Sequence, residues 1–267
     1  MAILLHLLTA ALYLALGAHF WRTLCGGARR SPVWLEQLGC VIPLLLHGAL
    51  LKQALFQTGG LHFGLGAAVS MIFWLAALVY WLEHWWNRLP ALQTLVLPLA
   101  GAASLLPLWA PSSAIPNAES PLFNAHLLVA MLAYALATLA ALHALLMAWV
   151  EKRLHGRKFS RVLEGVPALL VMESLLFRLI AVAFALLTLT LISGVVFSEE
   201  LFGRALRFDH KTVLAIVSWV IFGVLLAGRW AWGWRGRTAL RWTMAGFVSL
   251  LLAYVGTHFV VEVVLGR

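Results

Sequence analysis

Charged residues are scarce in this 267-residue chain. Asp, Glu, Lys and Arg together make up 11% of it, against 63% hydrophobic residues. No soluble domain of that length buries so much apolar surface, so a water-soluble fold is excluded. A backbone in lipid must satisfy its own hydrogen bonds, which points to an all-α, polytopic membrane helical bundle. Cysteine is nearly absent too: Cys25 and Cys40 form neither a CxxC dithiol nor a CxxCH motif. HExxH, GxSxG and P-loop patterns are missing. The few acidic residues, among them Glu36, Glu83, Glu151, Glu199, Glu200 and Asp209, fall mostly at span edges and form no carboxylate pair inside a span. Hydrolytic catalysis therefore has few candidate residues, and a binding role is favoured over an enzymatic one. The formal charge of +9 is distributed as membrane topology requires and is not a nucleic-acid signal.

What the chain has in quantity is apolar sequence of membrane-spanning length. About 20 apolar residues cross a bilayer core of about 30 Å. Eight such stretches can be drawn, at roughly 2–21, 35–56, 62–82, 91–109, 123–150, 174–197, 211–230 and 240–264, so that 1–267 reads as a single integral membrane domain. The first has no charged residue before it and no small-residue cleavage site, and reads as a retained helix. Of the 19 Lys and Arg residues, 13 fall in the loops after the first, third, fifth and seventh stretches, while Arg204, Arg207, Lys211 and Arg267 fall on the opposite side. The positive-inside rule makes the first side cytoplasmic and places both termini outside.

The loops differ in character. Gln57 to Leu61, QTGGL, reads as a tight turn, and the Pro- and Ser-rich Ala110 to Leu122 as an outer loop. Phe197 to His210 reads as a short amphipathic helix lying on the outer surface. The basic connector 151–173 is expected at the cytoplasmic face, attracted to anionic lipid. Trp81, Trp85 and Trp86, with Trp230, Trp232, Trp234 and Trp242, read as an interfacial aromatic belt. No solenoid or inverted repeat is visible in the sequence.

The fifth stretch is the most distinctive. It carries no charge between Asn124 and Glu151, and Ala130, Ala133, Ala137, Ala140, Ala144 and Ala148 recur at spacings of three and four. A helix lines them up in one stripe, against which a neighbouring backbone can pack closely. His126 continues the stripe one turn earlier. An imidazole inside a membrane needs a partner. Two are open to it: a hydrogen bond to a neighbouring helix, or the iron of a haem as axial ligand.

The other histidines sort by depth. His19, His84 and His155 fall at the cytoplasmic ends and are expected to be solvated, and His6 and His62 start spans at the outer face. His47 sits mid-membrane in the second stretch. His143 lies 17 residues beyond His126, about 25 Å along a helix axis, too far to share one iron with it. His126, His210 and His258 all fall near the outer leaflet, where two imidazoles from different helices can clamp a haem. For His210 a solvated interfacial position beside Asp209 is the competing reading.

Three segments resemble the cytochrome c assembly family (the CcsA, CcmC and HemX type). Asp209 to Arg229, DHKTVLAIVSWVIFGVLLAGR, is similar to its WDPKxxWxLITWLIYxxYLHxR segment. HLLVAMLAYALATLAAL, from His126, resembles its HVxxMxxSYAxL segment, and GTHFVV, with His258, its terminal GLHSY segment. Order and separations agree over about 123–264. Similarity to the smaller YpjD-like inner-membrane branch extends over the whole chain, including His47 and the WGWRGR that ends at Arg237.

The resemblance implies a multi-pass protein of the bacterial inner (cytoplasmic) membrane that handles haem or assists cytochrome c assembly. It implies non-covalent haem b, with His126 and His258 as outer-face axial ligands to the iron and His47 as the first intramembrane histidine. His210 is a reserve ligand, and Asp209 lies beside it in the matched segment. The implied partners are haem, membrane lipid and a cytochrome assembly partner protein, with no nucleic acid. Two family features are missing. ALRF precedes Asp209 where the family has a Trp-rich stretch, and Ala227 replaces the second intramembrane histidine. Two other readings stay open: a haem-free regulatory or scaffold protein that keeps the fold, and a small-solute permease.

Overall fold

Pro90, at the first position of a helix, and Gly64, in extended backbone just before another, mark how the apolar stretches are cut into elements. The computed structural model describes residues 2–26, 31–57, 60–85, 90–110, 112–115, 120–155, 169–202 and 210–256. The helices are α1 (Ala2–Leu24), α2 (Val33–Leu55), α3 (Leu65–Glu83), α4 (Pro90–Ala103), α5 (Pro121–His155), α6 (Leu169–Phe202), α7 (His210–Trp232) and α8 (Gly236–Leu251). Among the described residues seven helical segments are long and apolar enough to cross a membrane. The last helix, α8, has 16 residues and passes into a π-helical turn, Leu252–Gly256. The remainder of the eighth predicted span, 257–264, lies outside the described residues.

Among the described residues the helices pack in two rings of four. In the first, α1 packs on α2, α2 on α3, α3 on α4 and α4 back on α1; α5 to α8 repeat this order, and α3 and α4 join the rings by packing on α5. Small residues set the closest approaches, as expected where lipid supplies no hydrophobic drive between helices. The Gly17 Cα on α1 lies so near the Pro98 ring of α4 that an added Cβ would come within 2.8 Å of it, and one at Gly101 would come within 3.2 Å of the Ala10 carbonyl oxygen. On α8 an added Cβ at Gly246 would sit 2.6 Å from the Phe222 ring of α7, beside the Ser218 hydroxyl that donates to the Gly246 carbonyl at 2.8 Å.

The alanine stripe of α5 is buried from Ala130 to Ala144, while Ala148 is exposed. Ala135, Leu139, Ala141 and His143 are buried as well. Over these turns α5 is covered on every side, which is why it touches both rings.

Two outer loops meet where the sequence suggests only turns. β1 (Phe56–Gln57), β2 (Gly60–Phe63) and β3 (Ser113–Ala114) form an antiparallel sheet in that order, with Gln57 opposite Gly60 and His62 opposite Ala114. Gly60 has φ 122°, which favours glycine at the turn. The sheet moves the start of the third span from 62 to Leu65. The fourth span, expected to reach 109, ends as an α-helix at Ala103 and continues through a 3₁₀ turn, Leu106–Leu108. The separate surface helix expected from Phe197 is corrected: α6 runs unbroken through Phe202, and 203–209 lie outside the described residues. The connector expected at 151–173 is also shorter, since α5 continues to His155 and α6 begins at Leu169.

Acidic residues at the basic end are tied to cations. Glu173 on α6 pairs with Arg229 of α7 at 2.6 Å and with Arg235 at 3.6 Å, and Glu151 on α5 pairs with Arg237 of α8 at 2.9 Å. Glu36 lies 3.6 Å from His19 and 4.0 Å from His84. The expected Trp belt divides: Trp230 and Trp232 are exposed, whereas Trp234 packs against Gly228, Trp232 and Trp242. Trp81 donates its indole N–H to the Gln37 carbonyl at 3.1 Å, and Trp86 is outside the described residues.

Candidate functional site

Serine and glycine at 193 and 194 interrupt the apolar run of α6 and shape the surroundings of His126. The Ser193 hydroxyl lies 2.7 Å from the Leu189 carbonyl oxygen and 2.7 Å from His126 Nδ1. Serine has one hydroxyl proton, and a back-bond to the carbonyl four residues earlier uses it. The serine oxygen therefore accepts from His126 Nδ1–H. That fixes the imidazole tautomer and puts the lone pair on Nε2, the arrangement that prepares a histidine for an iron. Gly194 lies beside the ring, where an added Cβ would be 3.7 Å from His126 Cε1. His126 is half-buried, at the end of the molecule opposite the basic loops.

The remaining candidates are dispersed. His47 is 1% exposed, with Nε2 2.8 Å from the Ser70 hydroxyl of α3 and its ring edge-on to Tyr13 of α1 at 5.7 Å. Its Nδ1 and the Tyr13 hydroxyl have no partner among the described residues. His47 thus belongs to the first ring of helices, and His126 to the α5–α6 pair of the second. His210 is exposed at the first position of α7. Asp209 and His258 lie outside the described residues.

Three further histidines are structural. His143 Nε2–H donates to the Met172 carbonyl at 2.8 Å, tying α5 to α6 in the buried interior. His6 Nδ1–H donates to the Ser104 carbonyl at 2.5 Å, closing α1 on the end of α4. His84, expected to be solvated, is 3% exposed: Phe20 of α1, Tyr80 and Gln93 of α4 enclose it. His155 is the last residue of α5.

Among the described residues no group of three His, Cys, Asp or Glu side chains is placed to hold a metal ion. What the structure offers is single imidazoles oriented by a hydroxyl or carbonyl. A porphyrin iron has four ring nitrogens of its own and asks the protein only for axial ligands, so the donor set at His126 fits a haem.

The family model for the cytochrome c assembly protein matches residues 35–265. The chain belongs to the cytochrome c assembly family. Among its family relatives is the inner membrane protein YpjD of Escherichia coli K12, 31% identical over 246 residues, which cover 90% of this chain and 89% of that protein. Cytochrome c biogenesis proteins CcsA match over shorter stretches. That of Gloeobacter violaceus is 33% identical over 34% of this chain and 27% of its own length, and that of Prochlorococcus marinus MIT 9303 is 37% identical over 33% and 27%. With seven membrane-length apolar helices and a full-length family relative in the inner membrane, the chain is a multi-pass inner-membrane protein.

The sequence points to His126 but not to the residues that orient it. Ser193 is 67 residues away, and its only sequence signal is a polar–glycine pair inside an apolar span. Ser70, Ser104 and Tyr13 carry still less signal, since a serine or tyrosine in a membrane helix usually serves its own backbone or a neighbour.

Proposed function

We propose that this protein binds haem b non-covalently at the end opposite its basic loops, in the service of haem handling or cytochrome c assembly. His126 supplies one axial ligand and His258 the other, with His210, beside Asp209, in reserve. The observation that carries this reading is the hydrogen bond between His126 and Ser193, whose own proton is committed to Leu189. It turns Nε2 into the ligating nitrogen of this reading. Family membership and the CcsA relatives, named for cytochrome c biogenesis, support the same reading. A bound haem would supply a redox-active iron; the protein's part is to orient the imidazole through Ser193 and admit the ring beside Gly194. His47, buried with Nδ1 open among the described residues, is a second intramembrane position for the same cofactor. A cytochrome assembly protein is the expected partner.

The test is haem uptake by the purified protein. Wild type should show a Soret band, as isolated or after haem is added. His126→Ala should weaken haem binding at least about tenfold, because a direct iron ligand is lost, and His143→Ala should retain it once helix content is matched. A well-folded protein that takes up no haem in excess rejects the proposal and leaves the scaffold reading in its place.

A further inference from the structure

At the basic end, α5 and α8 line an open cavity of about 390 Å³, a volume within the range of small-ligand sites. Each helix contributes one face at i, i+3 and i+4: Ala148, Glu151 and Lys152 from α5, and Arg237, Leu240 and Arg241 from α8. The charges are unequal. Glu151 is engaged by Arg237 Nε at 2.9 Å, which holds the two helices together across the cavity. Lys152 and Arg241 form no ion pair among the described residues, and both are exposed. The wall is thus a neutral bridge flanked by two uncompensated cations. The floor is apolar, from Ala148 and Leu240.

We infer that this cleft holds the headgroup phosphate of an anionic phospholipid, bound between Lys152 and Arg241 with its glycerol end over Ala148 and Leu240. A phosphate gives each cation a charge-assisted acceptor. The apolar floor and the position at the basic end of the helix bundle favour a lipid over a free anion, because the acyl chains can continue into the surrounding membrane. Basic side chains at a membrane surface attract anionic headgroups in any case; here the cations lie on facing helices around one opening, which makes the interaction a site and not a diffuse attraction.

The experiment is native mass spectrometry of the full chain in detergent after incubation with an equimolar mixture of phosphatidylglycerol and phosphatidylcholine. Wild type should retain phosphatidylglycerol preferentially. Lys152→Gln/Arg241→Gln should lose about tenfold in retention, from two headgroup contacts, and the charge-conserving Lys152→Arg/Arg241→Lys should keep it. Arg22→Gln/Arg153→Gln removes two charges from the same end outside the cleft and should behave like wild type. Equal losses in the two neutralised pairs, at unchanged helix content, would show a diffuse charge effect and overturn the site. Displacement of the lipid by millimolar inorganic phosphate or glycerol phosphate would also overturn it, in favour of a soluble anion.

Discussion

Ser193 spends its single hydroxyl proton on the Leu189 carbonyl, and that commitment decides which nitrogen of His126 can bind a metal. Ser193→Ala should therefore leave the imidazole in place but unoriented, and lower haem affinity about 10- to 100-fold, the usual cost of losing a ligand's supporting hydrogen bond. A spectroscopic haem titration reads this directly, and an unchanged affinity would separate Ser193 from the site. His126 stood out in the sequence as a candidate because an imidazole continuing an alanine stripe in an uncharged span needs a partner. Its support was not, because a contact across 67 residues exists only once α5 and α6 are packed. His84 fails in the opposite direction. Its place at a span end suggests water, yet Phe20 and Gln93, on helices remote in sequence, remove it from solvent.

At the scale of elements, α5 is the helix on which both rings lean, and its alanines are the means. Ala140 is 0% exposed, so Ala140→Leu should force the neighbouring helices apart and cost about 1–3 kcal/mol, the usual range for overpacking. Ala148→Leu, on the uncovered turn, should be close to neutral. Thermal unfolding in detergent, followed by circular dichroism, compares the two. Glu173 offers a second test: it is 7% exposed and holds Arg229, which also lies 4.6 Å over the Phe177 ring. Glu173→Ala leaves that cation without its carboxylate and should cost about 2–3 kcal/mol, less than the 3–5 typical of a fully buried pair because Arg229 is partly solvated. The apolar spans themselves were legible, since lipid imposes their length. Their ends were not: the β1–β2–β3 sheet, which shifts the start of α3, depends on pairing between loops about 50 residues apart.

For the whole molecule, the two rings of four helices have the same cyclic order and meet along α5. No sequence repeat announced this, because closing a ring fixes which faces are apolar and small without fixing which residues serve. The basic residues add a direction. With 13 of 19 Lys and Arg in one set of loops, reporters fused before Ala2 and after Arg267 should both report from outside the cytoplasm. A C-terminal reporter active only in the cytoplasm would reverse the orientation and place His126 at the cytoplasmic side.

The most direct measurement is chemical rescue of the axial position. His126→Gly removes the imidazole and leaves space beside Ser193 and Gly194. The variant should lose the Soret band of the haem-loaded protein and regain it when free imidazole is added, while His143→Gly, tied only to the Met172 carbonyl, should neither lose the band nor respond to imidazole. A haem spectrum in His126→Gly identical to that of wild type, without imidazole, would contradict the assignment of His126 as an iron ligand.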